Sequence, residues 1–175
     1  DLRECDGAMR MMHEASEQGH AGAQYTLGVM YEHGQGVAKD EFTAVKWYRK
    51  AAEQGFANAQ HNLGIMYAHG QGVAKDESTA AEWYRKAAEQ GYAQGQFSLG
   101  VMYHNGHGVA KDESIAAEWY RKAAEQGEAL AQYTLALMHR DGHGTPQDES
   151  KALSWYWKVN VHRKSVFIAI VLDDY

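Results

Sequence analysis

The stretch AGAQYTLGVMYEHGQGVAKDEFTAVKWYRKAAEQGF, residues 21–56, decides the fold, because the chain goes on to repeat it. Leu27-Gly28 returns as Leu63-Gly64 and Leu99-Gly100, a step of 36 residues each time. Trp47-Tyr48 returns on the same step as Trp83-Tyr84, Trp119-Tyr120 and Trp155-Tyr156. A period of this size marks a stacked array, in which each unit buries its apolar face only against its neighbours. Arrays of this kind present long surfaces, which points to binding rather than to chemistry.

Within the quoted stretch, Ala23, Leu27, Met30 and Tyr31 fall at helical spacing. Gly34 then stands where a left-handed residue ends a helix at little cost. A loop through Gly36 and Val37 leads to Asp40, which has the short acceptor side chain of an N-cap, and Asp76, Asp112 and Asp148 take the same place. Glu41 and its equivalents follow in the first turn, where negative charge suits the helix dipole. Ala44, Trp47, Tyr48, Ala51 and Ala52 form the apolar stripe of a second helix. Gly28 lies in the apolar stripe of the first helix, at about 1 kcal/mol of helix propensity relative to alanine. Its recurrence implies close approach by a bulky ring, the Trp or the Tyr of the second helix. Ala136 replaces it in the last unit and predicts a looser fit there.

These elements predict an all-α fold and a single repeat domain over residues 1–175. Residues 1–19 read as an N-terminal half repeat, a second helix with methionines in place of the aromatic pair. Four units follow at 20–55, 56–91, 92–127 and 128–160. The pattern is lost after Trp157. Residues 161–175 have the right length for a capping helix over the last repeat, and their β-branched residues also suit a strand. Their apolar character predicts burial, either on the array or in a second copy of the chain.

Composition narrows the function. Net charge is −6 and no basic block occurs, so the footprint of a nucleic-acid binder is missing. The longest apolar run, Val166 to Leu172, is too short to span a bilayer. Cys5 is the single cysteine, which excludes a disulfide framework within the chain. The chain opens on Asp1 with no signal-peptide pattern, and a trimmed or processed start is the expectation.

Catalytic signatures are weak or absent. The Gly-x-Gly pairs follow a helix and lack the Gly-Lys-Ser/Thr of a phosphate loop. No serine begins Ser-x-x-Lys. His33 and His69 share one loop column and His107 and His143 another, but packed helices lie roughly 10 Å apart, whereas ligands of one zinc lie about 2 Å from it. His104 with His107 is the best pair within one unit. No metal or other cofactor is expected, and the polar residues at these helix ends read as solvated.

The motifs A-x-x-x-L-G-x-x-Y, G-x-G-V-x-x-D and A-x-x-W-Y-x-K-A-A-E-Q-G resemble the Sel-one-like repeat (SLR) family, a tetratricopeptide-like helical repeat family. They stand here at Ala23, Leu27, Gly28 and Tyr31; at Gly34, Gly36, Val37 and Asp40; and at Ala44, Trp47, Tyr48 and Lys50 to Gly55. The resemblance covers roughly residues 8 to 158, with departures at Ala136, His139 and Thr145. It implies a right-handed alpha-alpha superhelical solenoid of antiparallel helix pairs, with the first helices on a concave face. It also implies a non-catalytic scaffold or adaptor, of the kind found in bacterial envelope assembly and host interaction, that binds a protein or peptide. A disulfide-rich branch of the family, linked to penicillin binding and β-lactam hydrolysis, supplies the enzymatic alternative, and this chain lacks its cysteine pairs. A consensus-like module without a ligand is the third reading, suggested by the near-identical Gly-Val-Ala-Lys-Asp-Glu loops.

In tetratricopeptide-like arrays the groove is lined by first-helix residues that do not pack within the repeat. In this register the columns are Tyr25, His61, Phe97 and Tyr133; Val29, Ile65, Val101 and Leu137; Glu32, Ala68, His104 and Arg140; and Gly22, Asn58, Gln94 and Leu130. Packing columns hold one residue type, while these vary, as recognition allows. The aromatic and aliphatic columns together suit an apolar or aromatic anchor of a partner; packing between neighbouring repeats accounts equally well for the aromatic column and better for the aliphatic one.

Overall fold

The computed structural model describes residues 2–159, with side chains from Arg10 onward. Every regular element among them is a helix. They run α1 (Leu2–Glu17), α2 (Ala21–His33), α3 (Glu41–Glu53), α4 (Ala57–His69), α5 (Glu77–Glu89), α6 (Ala93–Asn105), α7 (Glu113–Glu125) and α8 (Ala129–Asp141). A further helix, α9, covers residues 149–159. The expectation of a capping or self-associating tail falls on residues 161–175 and lies outside the described residues.

Helix boundaries follow from a few recurring side chains. Asp40 caps α3 by accepting from the Thr43 N–H at 3.1 Å, and Asp76 caps α5 through Thr79 at 3.0 Å. Asp112 accepts from Ile115 at 2.9 Å and Asp148 from Lys151 at 2.9 Å. Each cap satisfies one of the free N–H groups that open a helix. The first helices stop at Gly34, Gly70, Gly106 and Gly142, all at φ between 70° and 75°. The loop then folds back, and the Asp40 N–H donates to the Tyr31 carbonyl at 2.8 Å.

Consecutive helices pack in sequence, α2 on α3, α3 on α4 and onward, and α4 also meets α6 directly. The result is a solenoid of helix pairs. Leu27, Leu63, Leu99 and Leu135 are fully buried. The ring that approaches the helical glycines is the tyrosine. A Cβ at Gly28 would lie 2.4 Å from Tyr48 Cδ1, and one at Gly64 would lie 2.6 Å from Tyr84 Cε1. The paired tryptophans take another role. Trp47, Trp83, Trp119 and Trp155 are half-buried, each under the ammonium of the lysine three residues on, at 3.7–4.1 Å from the ring centre. In the last unit Ala136 is fully buried and Tyr156 only half-buried.

A glutamine ladder joins the units. Gln24, Gln60, Gln96 and Gln132 are buried in the first helices. Each reaches back to a carbonyl at the end of the preceding second helix: Gln24 to Ser16, Gln60 to Ala52, Gln96 to Ala88 and Gln132 to Ala124, at 2.9–3.2 Å. The amides of Gln54, Gln90 and Gln126 donate in turn to the Gln24, Gln60 and Gln96 carbonyls at 2.7–2.8 Å. Buried amides are kept only where they are paired, so the ladder fixes both the register of each pair and its seat on the previous one.

Candidate functional site

The first-helix columns do not share one environment. Tyr25 is half-buried, with its ring 5.8 Å from Tyr48 and 5.3 Å from Phe56. Phe97, also half-buried, leans on Tyr120 at 5.6 Å. Tyr133 stands 48% exposed, edge-on to Tyr156. His61 is only 8% exposed. It sits 5.5 Å from both Tyr84 and Tyr92, and its Nε2 lies 3.1 Å from Ser98 Oγ of the next unit. The aromatic column therefore rests on the second-helix tyrosines along its whole length. Val29, Ile65 and Val101 are partly buried against the core clusters.

The remaining columns are more polar. Glu32 accepts the hydroxyl proton of Tyr48. His104 is half-buried, with no hydrogen bond to its Nδ1 among the described residues. Arg140 is exposed and grips Asp141 through two bonds of 2.7 and 2.8 Å. Asn58 lies 3.4 Å from the Tyr92 hydroxyl, which donates to the exposed Gln94 at 2.7 Å. Among the described residues no group of three or more His, Cys, Asp or Glu is placed to hold a metal ion. No described helix is long and apolar enough to cross a membrane.

Between α4 and α6 these columns open into a cavity of about 370 Å³. Ala68, Phe97, Ser98 and Val101 line it with Tyr84 at depth, and His69 and His107 stand among its lining residues. Lys75 and Glu77, a pair 2.8 Å apart, complete the polar part of the wall. The sequence explains why the opening falls here. Where this unit has Ala68, its neighbours have Glu32 and His104. In the next unit Ser98 stands where its own neighbours have Asn62 and Thr134, and Val101 where they have Ile65 and Leu137. Ala68 and Ser98 are the smallest residues of their columns, and Val101 shares that place with Val29, so small residues meet at one interface. Comparing neighbouring units across columns, rather than reading each column alone, would have located it.

Electrostatics at this face follow burial. The Tyr84 phenol is pushed up to about 12 by burial, so it is a hydroxyl donor at neutral pH. Burial also drives the Tyr48 and Tyr120 phenols above their ordinary range, with the Glu32 carboxylate adding to the effect at Tyr48. The His61 imidazole is pulled below its ordinary value, again by burial.

That shift makes stability depend on pH. Below the unfolded value of roughly 6.5, the unfolded chain takes up a proton that folded His61 refuses. The stabilisation is present above that value and declines as pH falls below it, by at most ~1.4 kcal/mol per pH unit. His61→Phe, which copies Phe97 one unit on, is expected to flatten the stability profile between pH 6.5 and 5. Parallel profiles for the two chains, from denaturant unfolding at several pH values, would contradict this.

Comparisons with known proteins agree with this architecture. The model of the Sel1 repeat matches four times in succession, at residues 21–56, 57–92, 93–128 and 129–156. Among solved structures, the chain is similar to c5321, described as a protective antigen present in uropathogenic Escherichia coli strains displaying an SLR fold (43% identity, TM-score 0.87). That match covers 89% of this chain and 33% of the antigen. A Sel1 repeat protein from Oxalobacter formigenes is 40% identical at TM-score 0.81, over 87% of this chain and 61% of that one. The chain thus spans about a third and three-fifths of these two relatives. Helicobacter pylori cysteine rich protein B is 26% identical at TM-score 0.58, over 73% of this chain and 92% of that one. A search of curated proteins returned no significant match. With its 36-residue units, capping aspartates and recurring helix pairs, the chain belongs to the Sel1 repeat family.

Proposed function

We propose that this chain is a non-catalytic interaction scaffold that holds a protein or peptide along the face built by its first helices. The observation that carries the reading is the α4–α6 cavity, formed where the variable columns turn small while the packing columns stay constant. Small concave sites with apolar walls and a few polar groups suit anchoring side chains of a partner. The similarity to an SLR-fold antigen and a Sel1 repeat protein supports the same reading.

Exposure dictates how to test it. Tyr25 and His61 are built into packing, whereas Gln94, Tyr133 and Arg140 are exposed. The triple change Gln94→Ala, Tyr133→Ala and Arg140→Ala should leave the fold intact by circular dichroism. It is expected to weaken recovery of a captured partner by about tenfold or more, since truncating a hot-spot aromatic costs about 2 kcal/mol or more. The double change Glu82→Ala with Glu118→Ala, on exposed positions of the second helices, should have no effect. A partner lost by the second variant and kept by the first would contradict the assignment to this face.

A further inference from the structure

The first unit contains a partner pair that the second unit lacks. Tyr48 donates its hydroxyl proton to Glu32. One period later the tyrosine persists as Tyr84, but the glutamate has become Ala68. Tyr84 is 6% exposed, against 0% for Tyr48. No hydrogen bond to its hydroxyl is formed among the described residues, although its phenol is held protonated by burial. Both residues border the 370 Å³ cavity. The cavity therefore lies where the array itself, one unit earlier, places a carboxylate on a short aliphatic stem.

We infer that the α4–α6 cavity is a carboxylate site that takes a glutamate side chain from a bound partner peptide, with Tyr84 donating to the carboxylate. The inference rests on the reading of this face as a binding surface and adds the chemistry of the anchor. Phe97, Val101 and Met102 supply apolar wall for the methylene stem. The one carboxylate lining the cavity, Glu77, is held by Lys75 at 2.8 Å, so an incoming anion meets no unpaired negative charge there. A hydrogen bond from Tyr84 to a carboxylate is charge-assisted and stronger than one to a neutral amide. The site should therefore discriminate glutamate from glutamine, its uncharged isostere.

The test is an NMR titration of the full chain, observing the Tyr84 ring and the Ala68 methyl group. The probes are N-acetyl-glutamate amide, N-acetyl-glutamine amide and butyrate. The glutamate probe is expected to shift both signals saturably, with the glutamine probe about tenfold weaker or more. Ala68→Glu should supply the carboxylate from within the chain and abolish the response while raising the unfolding midpoint. Tyr84→Phe, which keeps the ring, should erase the preference for glutamate over glutamine. Equal response to both amides, or a response that survives in a folded Ala68→Glu chain, would overturn the assignment. Binding of butyrate without binding of the glutamate amide would overturn the peptide source in favour of a free acid. A silent Tyr84, with a partner still captured by wild type and lost by the Gln94, Tyr133 and Arg140 variant, would overturn the carboxylate site and leave the scaffold reading standing.

Discussion

Gly108→Ala is expected to destabilise the array by ~3 kcal/mol or more, well beyond an ordinary glycine substitution. Two penalties meet at this residue. Its φ of +66° lies in the left-handed region, which costs an alanine about 1–2 kcal/mol. A Cβ there would also stand 2.1 Å from the Glu77 carbonyl oxygen and 2.6 Å from the Ser78 nitrogen, both backbone atoms of the previous unit. Gly72 and Gly144 meet Glu41 and Glu113 in the same manner, so this contact sets how closely neighbouring units stack. Gly127→Ala separates the penalties, because Gly127 has φ +93° with nothing within 4 Å of a Cβ. Denaturant unfolding should therefore show a small loss for Gly127→Ala and a much larger one for Gly108→Ala. Equal losses would mean that the loop gives way and the stacking contact is soft.

The second large effect is expected at the glutamine ladder. Gln60 is 4% exposed, donates to the Ala52 carbonyl at 3.1 Å and accepts from Gln90 at 2.7 Å. Gln60→Leu nearly keeps the volume and removes both bonds, while the Ala52 carbonyl keeps the Gly55 N–H at 3.0 Å. Each lost bond costs about 0.5–1.5 kcal/mol, so a total of ~1–3 kcal/mol is expected. Gln90→Ala instead leaves the buried Gln60 Oε1 without its donor, so it should cost as much or more, about 1–3 kcal/mol. No measurable loss for Gln90→Ala would mean that the bond from Gln90 to Gln60 contributes nothing to stability.

How much of this was legible beforehand differs by residue. The capping aspartates and the stop glycines act on backbone within their own loop, so local sequence was sufficient to place them. The Trp-Tyr pair was ambiguous because both residues fall on one apolar stripe. Which of them enters the core depends on where Gly28 and Gly64 face, and that is a contact between helices. The ladder glutamines give no local signal of burial although Gln24, Gln60, Gln96 and Gln132 recur on the period as faithfully as the leucines. An amide in a helix reads as surface until its two partners, eight residues before it and thirty after, are brought to it by the fold.

The groove columns show the opposite difficulty. Periodicity gives the side of a helix that a residue occupies, not how far the next unit covers it. His61 and Tyr133 share one column, yet one is buried between Tyr84, Tyr92 and Ser98 while the other is half exposed. Variation along that column therefore reflects several ways of packing on a tyrosine as well as freedom to recognise a partner. The cavity arises from three small residues, Ala68, Ser98 and Val101, from two different helices, and only their coincidence at one interface creates it.

The central claim, that a partner is held on the first-helix face, is tested most directly by side-chain footprinting of the captured complex against the free chain. Protection at Phe97, Val101 and Tyr133, with Trp83 and Trp119 on the second helices unchanged, is the predicted result. Protection of those tryptophans and of Phe42, with the three first-helix residues as reactive as in the free chain, would contradict it.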